Sequence, residues 1–160
     1  MTNFRIVPVD AAWAARVRET KQDDFGHPLE AVLATGRGPC RLSLRPFEVG
    51  LDTRILASYS PFTQTTPYAE TGPIYICAEA VGPYQDVHRF PPEIKADKAN
   101  FPLSLLGYSI TERMVYTEQV GNQDIDQRIE HVFNTRPEVA FLHVRNSEAC
   151  CFICKVEREN

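Results

Sequence analysis

Nine of the twelve prolines in this 160-residue chain fall between residues 39 and 102. Proline has no amide hydrogen and a fixed φ, so no long helix can run through that stretch and no long strand can sit at the centre of a sheet there. The middle of the chain is therefore expected to form short strands broken by tight turns. "CRLSLRP" (40–46) and "TRILASYSP" (53–61) alternate as half-buried strands do, and in the second Ile55, Ala57 and Tyr59 share a face. "PIYICAEA" (73–80) is a third, with Ile74, Ile76 and Ala78 on one face and Tyr75, Cys77 and Glu79 on the other.

The proline-poor flanks read differently. "NFRIVPV" (3–9) is a first strand and "DAAWAARVRET" (10–20) a short helix with Asp10 as its N-cap, Trp13 and Val17 lying one turn apart on a core face. Residues 21–39 are expected to be mostly irregular, with a helical turn over 29–34, and 86–103 to be the largest loop. "LLGYSI" (105–110) and "RMVYTEQV" (113–120) form a hairpin. In "DIDQRIEHVFN" (124–134), Ile125, Ile129, Val132 and Phe133 follow helical spacing, Asp124 with Gln127 resembles a capping box, and Pro137 ends the helix. "EVAFLHVRN" (138–146) and "CCFICKVER" (150–158) then form a second hairpin. Runs of strands with two separate helices predict one α+β domain over 1–160 with a mostly antiparallel sheet.

A net charge of −4 and a pI near 5.6 give no basic face for a nucleic-acid backbone, so no nucleic-acid partner is expected. No apolar run reaches the roughly 18 residues of a membrane span, and "MTNFRIVPVD" lacks a signal-peptide core. A cytoplasmic protein with no membrane partner is the expectation.

That setting and an odd number of cysteines (Cys40, Cys77, Cys150, Cys151 and Cys154) point to free thiols rather than a disulfide framework. "CFIC" has the spacing of a redox or zinc motif, but in a strand Cys151 and Cys154 point to opposite faces. Cys150 and Cys154 share a face at about 13 Å, too far to chelate one metal or form a disulfide. No structural disulfide, closed zinc site or other cofactor is expected.

Two stretches carry unusual polar groups. "PYAETGP" (67–73) holds Tyr68 and Glu70 between two prolines. In "VAFLHVRN" (139–146), His143 and Arg145 share a strand face with Val139 and Phe141, an expensive arrangement unless both are paired or solvated. An imidazole can be a general base or metal ligand, and a guanidinium can clamp a carboxylate or phosphate. Glu70 can serve as acid, base or orienting partner. The plainer readings are a core histidine, a surface ion pair and a solvated loop charge. Arg41 follows Cys40 directly, and a guanidinium beside a thiol favours the thiolate, though neighbouring strand residues point apart.

"PYAETGPIYICAEA" and "VAFLHVRNSEACCFICKVER" resemble the small bacterial proteins grouped as domain of unknown function 1203, over roughly residues 26–158. The resemblance implies no established activity, cofactor or partner. It does imply two departures, because position 77 in that family is usually histidine and position 150 usually glycine. Cys151 matches the family's cysteine after the Arg-Asn pair, whereas Cys40 does not align cleanly with the family's earlier cysteine.

These readings converge on one cleft lined by Tyr68, Glu70, Cys77, His143, Arg145 and Asn146, with Arg41 nearby. Glu70 and His143 are the catalytic candidates; Tyr68, Arg145, Asn146, Cys77 and Arg41 are the ligand contacts. The strands carrying Cys77 and His143 would then be near neighbours. Three functions stay open: binding or conversion of a small anionic ligand, metal binding through Cys77, His143 and Cys151, and an interaction module in which the cluster braces the loop.

Overall fold

A computed structural model describes residues 3–159. Strand β1 (Asn3–Val7) leads to Asp10, whose carboxylate accepts from the Trp13 amide at 3.0 Å and starts helix α1 (Ala11–Thr20). The helix buries Trp13, Ala14 and Val17 and ends where Lys21 turns left-handed. Residues 29–34 do not form a helical turn. They hold β2 (Ala31–Leu33), which pairs as an exposed edge strand with β3 (Thr53–Tyr59). β3 pairs in turn with β4 (Gly72–Cys77), giving a three-stranded antiparallel sheet in the order β2-β3-β4.

The expected strand at 40–46 is instead a tight turn. The Leu44 amide reaches back to the Cys40 carbonyl at 2.8 Å, with Leu44 at φ 55°. Cys40, Leu42 and Leu44 are all buried, so the apolar alternation is real, but a turn satisfies it. The turn also draws the Arg41 side chain inside, where carbonyls solvate it. The expected loop at 86–103 contains a third, short helix, α2 (Pro92–Ala96), started by proline at its first position.

The second sheet has five antiparallel strands in the order β1-β8-β7-β5-β6, built from β5 (Leu103–Tyr108), β6 (Met114–Gln119), β7 (Phe141–Asn146) and β8 (Phe152–Glu159). Helix α3 (Ile125–Thr135) starts at Asp124, which accepts from the Gln127 amide at 3.2 Å. Its Ile125, Ile129, Val132 and Phe133 are at most 3% exposed and share a core with Leu105, Leu142 and Val144. Burial of each such side chain stabilises by about 1.5–3 kcal/mol, which far exceeds the helix's own propensity. A second core joins α1 to the three-stranded sheet and includes Phe152 of β8. The architecture is α+β, with three helices and two antiparallel sheets. Among the described residues no helix is long and apolar enough to cross a membrane.

β7 positions the polar groups of the "VAFLHVRN" stretch. Strand alternation sends Leu142 and Val144 into the core with α3 and sends Phe141, His143 and Arg145 to the other face.

Candidate functional site

Between β3 and β4 the chain crosses that other face as a loop, residues 60–71. The buried Glu112 carboxylate pins it, accepting from the Thr63 amide at 2.9 Å and the Gln64 amide at 2.5 Å. Beyond this anchor, Glu70 and Arg145 both line two adjoining cavities of about 170 and 270 Å³. The smaller also has Tyr59, Thr71, Cys151 and Phe152 on its walls, and the larger has Tyr108, Asn146 and Ser147.

Arg145 is the cationic side chain on the walls of both cavities. Its side chain is 16% exposed, its Nη1 donates to the Cys150 carbonyl at 2.9 Å, and its buried Nε has no hydrogen-bond partner. The Glu70 carboxylate stands 4.0 Å from Nη2 and is 69% exposed, so it meets the guanidinium without capping it. Asn146 shapes the adjoining turn: its side-chain oxygen accepts from the Glu148 and Ala149 amides, both at 2.9 Å. Tyr68 takes no part in either cavity wall; its amide donates to the Thr66 hydroxyl in the loop itself.

Under the smaller cavity lies Arg41, which is 2% exposed. It donates from Nε to the Phe152 carbonyl at 2.7 Å, from Nη1 to the Pro39 carbonyl, and from Nη2 to the Cys151 sulfur at 3.1 Å. Among the described residues it forms no ion pair. Burial pulls its pKa down, and the sulfurs of Cys151 and Cys40 pull the other way. Besides the two carbonyls, the Cys151 sulfur is the partner of this buried guanidinium.

His143 is not part of the cleft wall. It is fully buried among the rings of Phe62, Tyr108, Phe141 and Phe152, with centroids 4.8–5.3 Å away. Neither ring nitrogen has a hydrogen-bond partner. Burial first, then the charges of Arg145 and Lys155, push its pKa down to about 3, so the ring is neutral. Its face of β7 points outward from α3, but the 60–71 loop covers it with Phe62.

Cys77 also lies elsewhere. β4 belongs to the three-stranded sheet, so the strands of Cys77 and His143 are not paired. Cys77 lines a separate cavity of about 370 Å³ with Ser43, Arg45, Asp52 and Glu79. Its amide donates to the sulfur of Cys40 at 3.3 Å. All five cysteines are free thiols. Cys77, His143 and Cys151 do not converge, and among the described residues no group of three or more His, Cys, Asp or Glu side chains is placed to hold a metal ion.

A family model described as "Protein of unknown function (DUF1203)" matches residues 37–158. The chain belongs to that family. No curated protein and no solved structure matches it. In this DUF1203 chain the matched span holds Arg41, Glu70, Cys77, Arg145 and Cys151 together, while β1, α1 and β2 precede it. The positive φ of Cys150, 65°, accounts for the glycine that the family resemblance implies at that position.

The cluster has members that sequence reasoning did not place. Cys151 faces the same cleft as Arg145 because Cys150 turns left-handed and interrupts the strand that the alternation suggested. Glu112 anchors the loop from a hairpin turn 48 residues away, with no local signal.

Proposed function

We propose that this chain binds a small anionic ligand, a carboxylate or phosphate compound, in the cleft between the 60–71 loop and the turn at 146–151. The observation that carries this reading is Arg145: a guanidinium at a cavity wall, held by the Cys150 carbonyl and the Tyr108 side chain, with its nearest carboxylate at 4.0 Å. A planar fork with spare donors suits bidentate recognition of an oxyanion. Glu70, exposed at the rim, accepts or returns a proton or shields the guanidinium. Cys151, bonded by Arg41, lines the same cavity. The small volumes favour a ligand of few heavy atoms.

A thermal-shift screen of small carboxylates and phosphates tests this. A ligand present at about 100 times its Kd stabilises the native state by about 2.7 kcal/mol. That corresponds to a midpoint rise of roughly 5–10 °C for a chain of this size. Arg145→Ala abolishes the rise for any hit at this cleft. A library with no hit, or hits that Arg145→Ala leaves unchanged, contradicts the reading and leaves the Glu70–Arg145 contact as a brace between loop and sheet.

A further inference from the structure

The contact between Cys40 and Cys77 has no role in the Arg145 cleft, and the sequence separates the two residues by a whole strand. They meet for structural reasons. The turn at 40–45 holds Cys40 by its own backbone, its amide donating to the Arg45 carbonyl at 3.1 Å and its carbonyl accepting from Leu44 at 2.8 Å. The neighbouring Arg41 amide docks this turn onto β4 through the Tyr75 carbonyl at 3.0 Å. The Cys77 amide then donates to the Cys40 sulfur at 3.3 Å, which brings the two cysteines side by side. Cys40 is fully buried, whereas Cys77 is half-buried on the wall of the 370 Å³ cavity.

We propose that Cys40 and Cys77 are a dithiol–disulfide couple that exchanges with small-molecule disulfides, Cys77 being the entry thiol and Cys40 the resolving thiol.

Cys40 sits where a sulfur anion is best held. The Cys77 thiol outweighs its burial, and Ser43 and the Leu42 amide add to the effect, so its pKa falls well below the usual thiol range. The same contact, with burial, raises that of Cys77. The pair thus shares one proton, drawn as Cys77 S–H donating to Cys40 S⁻. Cys40 S⁻ takes that proton as the Cys77 sulfur, on the cavity wall, attacks one sulfur of R–S–S–R; a Cys77–S–S–R bond forms, the R–S–S–R bond breaks, and the departing RS⁻ takes the Cys40 proton as RSH. The regenerated Cys40 thiolate attacks the Cys77 sulfur, forms the Cys40–Cys77 disulfide and expels a second RS⁻. Two electrons leave the protein and reduce one external disulfide to RSH and RS⁻.

The test is incubation of the whole protein with oxidised glutathione, followed by alkylation and peptide mapping. Wild type is expected to yield a Cys40–Cys77 linked peptide with little adduct at Cys77. In Cys40→Ser, the glutathione adduct at Cys77 should persist and exceed the wild-type level at least tenfold. In Cys77→Ser, Cys40 should stay reduced, because it is fully buried and the entry thiol is gone. A wild-type protein that keeps a glutathione adduct at Cys77 without the link overturns the proposal. So does one with no change at Cys77, or with Cys77 linked to another cysteine. Cys40 oxidised equally in Cys77→Ser overturns the order of the two thiols. Cys77→Ser alters a half-buried position, so it keeps the test decisive where Cys40→Ser does not fold.

Discussion

Acidification from about pH 7 to about pH 4 should unload much of this protein's stability through one side chain, His143. The ring is fully buried, and its pKa falls from 6.5 to about 3 on folding, first from burial and then from Arg145 and Lys155. The sign comes from proton counting. Between these values the unfolded chain binds a proton that the folded chain refuses, so stability is complete above the unfolded pKa and is lost as the pH falls towards the folded one. Each pH unit is worth about 1.4 kcal/mol, so the loss from this group is about 3 kcal/mol at pH 4. His143→Phe keeps an aromatic ring against Phe62, Tyr108, Phe141 and Phe152 and removes both unpartnered nitrogens. Replacing a buried polar group by an apolar one of similar shape is near neutral or stabilising when no partner is orphaned. Urea melts of both proteins across this pH range isolate the effect, because every other titrating group cancels in the difference. The difference should widen by about 3 kcal/mol in favour of the variant between pH 7 and pH 4. A difference that stays constant would refute this, because His143 would then be protonated or solvated in the fold.

The geometry sets three further outcomes. Cys150→Gly should raise stability by about 1 kcal/mol in urea melts, since Cys150 occupies a left-handed φ of 65° with an exposed side chain; no gain would show that the turn carries no strain. Asp23→Asn should cost about 2 kcal/mol at neutral pH. Burial raises the Asp23 pKa, but bonds from the Ser58, His27 and Phe25 amides and the His27 ring overcome it and bring it to about 2, so this stability is present above the unfolded pKa near 4 and lost as the pH falls to about 2; a variant with the acid profile of wild type refutes this. Arg41→Ala should cost more than about 3 kcal/mol, because it orphans the Phe152 and Pro39 carbonyls inside the protein and leaves a void at the floor of the cleft; a loss below about 1 kcal/mol on chemical denaturation contradicts its structural role.

Much of the fold was legible because it rests on local patterns. Asp10 and Asp124 begin their helices, the α3 spacing names its buried face, and β3, β4 and the two hairpins obey two-residue alternation. The turn at 40–45 was not, since Cys40, Leu42 and Leu44 alternate whether they lie in a strand or curl around a buried arginine. Only tertiary contacts distinguish the two. Three residues are an equally short signal at 31–33, where pairing with β3 decided the conformation. At the candidate site, Glu70 and Arg145 lie within 4.0 Å, as the two polar stretches suggested. His143 and Cys77 lie apart from them, because strand alternation assigns a face but not what covers it. Phe62 covers His143, and Cys77 belongs to a different sheet. The Cys40–Cys77 contact left no trace in spacing, since it depends on how the 40–45 turn docks on β4.

The measurement that bears most directly on the Arg145 cleft is calorimetric titration of an anion from the screen into wild type and Arg145→Lys, with urea melts of Arg145→Ala and Glu70→Ala alongside. Lysine keeps the charge and loses the fork. The anion clamp predicts at least about tenfold weaker binding for Arg145→Lys and, since Glu70 is 69% exposed, a stability change below about 1 kcal/mol in Glu70→Ala, the scale of a solvated position. Unchanged affinity in the lysine variant, with both alanine variants losing the roughly 3–5 kcal/mol of a broken buried pair, would contradict it and make the cluster a structural brace.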